Sequence, residues 1–156
     1  MKYEAAFSKN EGDVRDYINA AVLLFDIQDP GTIHHHDIPQ DTVDAAFGKS
    51  LNFLEKAEKI FGPNPEIDFW KEYFAFALHG EPSFEDEARN MMEQGTDIPC
   101  FYIISDASDL EMLEHCRNLL KEVKEGRTAK EHYIKSVLES TFNTLKVGPD
   151  KNTPFK

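Results

Sequence analysis

Apolar residues recur at helical spacing along most of the chain. Between about residues 11 and 27, Val14, Ile18, Ala21 and Phe25 lie three or four positions apart, so they fall on one face of a helix. Five further segments show the same spacing: 42–61, 65–79, 84–94, 109–125 and 128–146. The pattern therefore predicts helices that pack together through their apolar faces.

Several of these segments begin with residues that favour helix starts. Thr128-x-x-Glu131 and Ser108-x-x-Glu111 match the capping box, in which a hydroxyl and a carboxylate bind the unpaired backbone amides of the first turn. Ser83-x-x-Asp86 is a weaker match with a shorter acid, and Asn64-Pro65 is typical of a cap followed by a first-turn proline. These signals predict where the helices begin.

The segment 98–105 does not show helical spacing. Its sequence, IPCFYIIS, is rich in β-branched and aromatic residues, and it is too short for periodicity to separate a buried strand from a buried helix. A strand needs a partner, and Tyr3–Phe7 is the one candidate with alternating apolar residues. We favour a short helix or an extended piece that crosses the core, and the strand stays the alternative.

The short links between the helical segments favour one compact domain. We predict a mainly all-α fold, a single-domain bundle of six to seven helices over residues 1–147. Residues 148–156 contain two prolines and no apolar stripe, which predicts a flexible tail. The connection 28–40 is the most irregular internal segment, and long loops of this kind are often functional.

Composition and charge narrow the class of protein. A chain of 156 residues with 40% hydrophobic residues can bury a core, which excludes a disordered polar chain. It carries 17 Lys and Arg against 29 Asp and Glu, a net charge of −12, so nucleic acid and anionic membranes repel it. No secretory signal pattern occurs, and no apolar stretch approaches the roughly 20 residues of a membrane span. We expect a cytoplasmic protein that binds neither membranes nor nucleic acid.

The charge is unevenly distributed along the chain. Residues 1–116 hold 8 basic and 24 acidic residues, whereas residues 117–156 hold 9 and 5. The acidic candidates for partner binding crowd around two predicted helix starts: Glu81, Glu85, Asp86, Glu87, Asp37, Asp41 and Asp44. The basic residues cluster near the end of one helix and the start of the next: Arg117, Lys121, Lys124, Arg127, Lys130 and Lys135. Ordinary solvated helix ends explain many such charges, and attraction of a basic partner is the sharper interpretation.

Three consecutive histidines and an aspartate form the most conspicuous local motif: His34, His35, His36 and Asp37. Imidazoles and carboxylates suit zinc, nickel or copper, so this loop is the candidate site for a divalent metal. Adjacent residues point in different directions in most backbones, so at most two of the three histidines could bind one ion. A polar surface loop is the simpler interpretation, and no other feature predicts a cofactor.

Six of the 18 aromatic residues fall between Phe69 and Phe84. Because their segment is apolar on two faces, we favour a central helix buried within the bundle. The alternative is that Phe69 and Trp70 stay exposed as anchors for a partner protein, since aromatic residues are favoured at the centres of interfaces.

The motifs of nucleotide-binding proteins, serine hydrolases and zinc proteases do not occur, which favours a protein that is not an enzyme. We therefore predict a small acidic helical protein-binding module, an adaptor, inhibitor or immunity-type antagonist that engages a basic surface of a partner. The alternative is a small metal-binding protein or enzyme that uses the His-rich 28–40 loop. Self-association into a homo-oligomer is a third interpretation.

Overall fold

A computed structural model describes residues 12–29 and 37–149 of the chain, which form seven helices and no strand. The helices are α1 (Val14–Asp26), α2 (Gln40–Phe61), α3 (Pro65–His79), α4 (Glu85–Glu93), α5 (Cys100–Ile103), α6 (Leu110–Glu122) and α7 (Ala129–Leu145). The predicted fold class, mainly all-α with six to seven helices, is confirmed. None of the described helices is long and apolar enough to span a membrane.

The described residues divide into two compact units between Gly80 and Glu81. The first unit contains α1, α2 and α3, and the second contains α4, α5, α6 and α7. The domain boundaries expected from the sequence, one domain over 1–147 and a tail over 148–156, remain predictions. Residues 150–156 of that tail lie outside the described part of the chain.

The first unit is a three-helix arrangement in which every helix contacts the other two. Its core is aromatic: Phe25 of α1 stacks on Phe74 of α3, with ring centroids 4.3 Å apart. Helix α3 starts where the sequence predicts it. The Asn64 side chain accepts hydrogen bonds from the amides of Glu66 and Ile67 at 2.9 and 3.3 Å. Asn64 is therefore the predicted cap, with proline in the first turn.

The second unit is built around the short helix α5, which packs against α4, α6 and α7. Three of its apolar residues, Cys100, Phe101 and Ile103, are buried, and so is Ile104, which follows the helix. The interpretation of 98–105 as a short buried helix is confirmed. The alternative strand does not form, and its proposed partner Tyr3–Phe7 lies outside the described residues.

Helix starts agree with the capping signals at some positions and differ at others. Thr128 and Glu131 form the predicted capping box of α7, with the Glu131 amide donating to Thr128 Oγ1 at 3.2 Å. The prediction of Ser108 as a cap is wrong, because the Asp109 side chain accepts the Met112 amide at 3.0 Å instead. The Ser108 amide belongs to the preceding turn, where it donates to Asp106 at 2.8 Å.

Candidate functional site

Four acidic residues stand exposed at the beginning of α4 and are named here the acidic turn: Glu81, Glu85, Asp86 and Glu87. The last three form the first turn of the helix, where unpaired amides and the helix dipole favour negative charge. Local helix physics therefore explains why acids occur at this position. Glu81 precedes the helix by four residues, and all four carboxylates are exposed to solvent, where a partner could reach them.

Contacts with α5 hold the start of α4 in place. Phe84, the residue before the helix, is buried and stacks on the ring of Tyr102 with centroids 4.3 Å apart. The Phe84 amide donates to the Tyr102 hydroxyl at 3.1 Å, and Ser83 Oγ lies 3.1 Å from the same hydroxyl. The prediction of a Ser83-x-x-Asp86 capping box is therefore wrong, because Ser83 binds Tyr102 and no side chain caps α4. The contacts of Ser83 and Phe84 with Tyr102 therefore hold the start of the acidic helix α4 against α5.

The acidic turn continues into a strip along α4. Successive residues of an α-helix are rotated by about 100° around its axis. Residues whose positions fall within about a third of the circumference therefore share one strip of its surface. The residues that share this strip are Glu85, Asp86, Arg89, Met92 and Glu93. Glu87 lies on the other exposed flank, about 100° beyond Asp86. The acidic turn therefore presents two of its four carboxylates on the strip that leads toward Glu93.

One member of the acidic turn has a basic partner within the described part of the chain. The Arg89 guanidinium donates to Glu85 Oε1 from Nη2 at 2.8 Å and from Nε at 3.2 Å, one helical turn along. Both side chains are about half exposed, so this pair contributes little to stability. Glu81, Asp86 and Glu87 keep their charge available.

The strip on α4 forms one wall of a cleft of about 300 Å³. The residues that line the cleft are Arg89, Met92 and Glu93 from α4, Asp109 before α6, and Glu111, Met112 and His115 from α6. Helix α5 packs against both α4 and α6. The cleft thus combines three carboxylates, one guanidinium, one imidazole and two methionines.

A histidine–aspartate pair stands at this cleft. His115 Nδ1 lies 2.9 Å from Asp97 Oδ1, and both side chains are about four-tenths exposed. Asp97 belongs to the turn before α5, where its carbonyl accepts the Cys100 amide at 3.1 Å. Sequence analysis missed this pair, because the two residues come from different segments and no motif joins them. A carboxylate in this position fixes the orientation of the imidazole ring.

The acidic residues of the first unit form a separate group. Asp37, Asp41 and Asp44 are all exposed at the start of α2. Asp41 Oδ1 accepts the Thr42 amide at 2.9 Å, and Asp44 Oδ1 accepts a bond from Gln40 Nε2 at 2.8 Å. Asp41 and Asp44 therefore take part in local bonds of a helix start.

The aromatic candidates Phe69 and Trp70 are fully buried in the first unit. Their rings contact each other edge to face, with centroids 5.3 Å apart. The favoured interpretation, a buried central helix, describes them correctly. Their inclusion among partner-binding residues needs correction, because side chains without solvent exposure cannot anchor a partner or a second copy. The exposure expected of an interface is absent at both positions.

The candidate metal ligands His34, His35 and His36 lie outside the described residues. Asp37, the fourth member, is exposed and has a left-handed backbone with φ of 47°. Over residues 12–29 and 37–149, no three His, Cys, Asp or Glu side chains come together in a group that could hold a metal ion. The metal site therefore remains a prediction of the sequence.

Two basic residues of the second unit bind backbone carbonyls just beyond helix ends. Lys135 Nζ donates to the carbonyl of Lys124, just past the end of α6, at 3.1 Å. The Arg117 guanidinium donates to the Gly148 carbonyl from two nitrogens, both at 3.4 Å. Cations are favoured at such carbonyls, so a structural role accounts for these two residues.

Comparison of the chain with protein-family models, with curated proteins and with solved structures finds no match. The site is therefore interpreted from its own chemistry.

Proposed function

We propose that the protein is a small acidic protein-binding module, an adaptor, inhibitor or immunity-type antagonist, that engages a basic surface of a partner protein. The observation that carries this proposal is the acidic turn, in which four carboxylates are exposed and one is paired with a basic residue. Complementary charge of this kind raises the rate at which a basic partner finds its binding surface.

The support beneath the acidic turn favours binding over incidental surface charge. Phe84 and Tyr102 hold the start of α4, and the buried Ala88 fixes the next turn of the helix. A surface that is already ordered loses less entropy when a partner binds. The net charge of −12 adds a long-range attraction for basic partners and disfavours nucleic acid.

We further propose a cytoplasmic location. Both cysteines, Cys100 and Cys116, are free and buried, which suits a reducing compartment.

A capture experiment with two variants of equal charge tests the proposed function. The acidic-turn variant carries Glu81→Gln, Glu85→Gln, Asp86→Asn and Glu87→Gln. The control variant carries Glu55→Gln, Glu72→Gln, Glu122→Gln and Glu139→Gln, four exposed positions elsewhere. Each immobilised protein is incubated with lysate of its source cells at low and high salt, and bound proteins are identified by mass spectrometry.

We expect the wild type and the control to retain the same basic protein at low salt. The acidic-turn variant should lose it, because the loss of local carboxylates removes the complementary surface. Retention by both variants to the same degree would show that overall charge, and not the acidic turn, binds the partner. Retention that does not change with salt would contradict electrostatic binding.

A further inference from the structure

The cleft beside the acidic turn has walls of opposite chemical character. Its polar wall contains Glu93, Asp109 and Glu111. The guanidinium and the imidazole of the cleft already have acidic partners. Arg89 binds Glu85 at 2.8 Å, and His115 lies 2.9 Å from Asp97. Asp109 accepts the Met112 amide at 3.0 Å, so Glu93 and Glu111 are the cleft carboxylates that face a ligand from exposed positions.

Two methionines supply the apolar part of the cleft. Met112 is buried and Met92 is half-buried. Methionine side chains are flexible and polarizable, and they adapt to the shape of what they contact. An apolar wall beside carboxylates suits a ligand with an alkyl stem and a cationic end.

The size of the cleft restricts the ligand further. At about 300 Å³, it lies at the lower limit of ordinary ligand pockets. It therefore suits one side chain or a small molecule more than an extended ligand. An arginine side chain meets every requirement, because its planar guanidinium binds carboxylates through paired bonds and its stem packs on apolar surface.

We propose that this cleft receives an arginine side chain of the basic partner. The inference rests on the proposed function, and it names the residue type that the partner inserts. Glu93 and Glu111 receive the guanidinium, and Met92 and Met112 pack against the alkyl stem. The acidic turn lies on the same side of α4, since Glu85 and Asp86 share a strip with Arg89 and Glu93.

The methionine methyl groups offer a direct test. Of the four methionines of the chain, Met91, Met92 and Met112 lie in the part that the structure describes, and Met92 and Met112 line the cleft. The full chain labelled with ¹³C at these methyls is titrated with N-acetyl-arginine amide and followed by NMR. We expect saturable shifts at Met92 and Met112, with little change at Met91, which is described and does not line the cleft. N-acetyl-citrulline amide, which has the same shape without the charge, should leave the spectrum unchanged.

Two double variants locate the binding site. Glu93→Gln with Glu111→Gln should weaken arginine binding about tenfold, the effect of losing a charge-assisted hydrogen bond. Glu122→Gln with Glu139→Gln makes the same change in net charge outside the cleft and should leave binding unchanged. All four positions are exposed, so both variants should fold, as thermal unfolding can verify.

Absence of shifts at Met92 and Met112, equal shifts with the citrulline probe, or equal weakening in both variants would each overturn the proposal. These failures differ from failure of the proposed function. A partner that depends on the acidic turn but binds the Glu93→Gln, Glu111→Gln variant normally contradicts the cleft alone. An arginine probe that binds the cleft, with no partner dependent on the acidic turn, contradicts the proposed function alone.

Discussion

Cys100 and Cys116 meet within the core of the second unit. Cys100 begins α5, Cys116 lies in α6, and both side chains are fully buried. A hydrogen bond with Cys116, together with burial, holds the pKa of the Cys100 thiol far above its usual range. The Cys100 thiol therefore acts as a small apolar group of the core and remains protonated at neutral pH.

This contact predicts a pH dependence of stability. In the unfolded chain Cys100 ionises near its ordinary pKa of about 8.5, whereas in the native protein it stays protonated. Above that pH the unfolded state is favoured by up to about 1.4 kcal/mol per pH unit, so the free energy of unfolding falls as pH rises. Cys100→Ala removes this contribution. Urea unfolding between pH 7 and 10 should show a steeper fall for the wild type than for the variant, and parallel curves would contradict the assignment.

Individual residues differ in how far their environment could be predicted from the sequence. Exposed acids at a helix start could be predicted from local composition, as Glu85, Asp86 and Glu87 confirm. The partners of individual side chains could not, since His115 and Asp97 meet only through the placement of α6 beside the turn before α5. Burial of Trp70 followed from the density of apolar residues around it.

Among the single helices, α2 has one glycine within it and another at its end, and the two differ in backbone conformation. Gly48 lies within the helix, exposed to solvent, and an added Cβ would meet no atom within 4 Å. Gly62 ends the same helix with φ of 84° and ψ of −175°, a conformation that side-chain-bearing residues rarely adopt. A Cβ at Gly62 would also meet no atom within 4 Å, so backbone conformation alone distinguishes the two sites.

We predict opposite effects of alanine at these two glycines. Gly48→Ala should raise the free energy of unfolding by about 0.5–1 kcal/mol, because it lowers the entropy cost of forming the helix. Gly62→Ala should lower it by about 1–3 kcal/mol, because alanine is strained in that backbone conformation. Urea unfolding at neutral pH measures both. A change in the same direction for the two variants would contradict the conformational explanation.

Helix positions could be predicted from apolar spacing, but some starts could not. The Thr128 cap forms as its motif predicts. Ser83 does not cap α4, because the Tyr102 hydroxyl binds it and also accepts the amide of Phe84. A contact between segments thus replaces a local one, and spacing within one segment contains no information about it.

Over the whole molecule, acidic and basic residues are unevenly distributed along the chain. The sequence predicts a polarised protein with acids in residues 1–116 and a basic surplus after them. Within the second unit, the structure adds the cleft that continues from the acidic turn, and it places Lys135 and Arg117 at backbone carbonyls. The cleft depends on how α5 packs against α4 and α6, which apolar periodicity does not determine.

The association rate of the captured partner, measured against ionic strength, shows whether the acidic turn itself attracts the partner. The wild type and the control variant (Glu55→Gln, Glu72→Gln, Glu122→Gln, Glu139→Gln) should associate rapidly at low salt and lose rate together as salt rises. The acidic-turn variant should associate about tenfold more slowly at low salt with a weaker salt dependence. Equal rates and equal salt dependence for the two variants would contradict the claim that the acidic turn of α4 binds the partner.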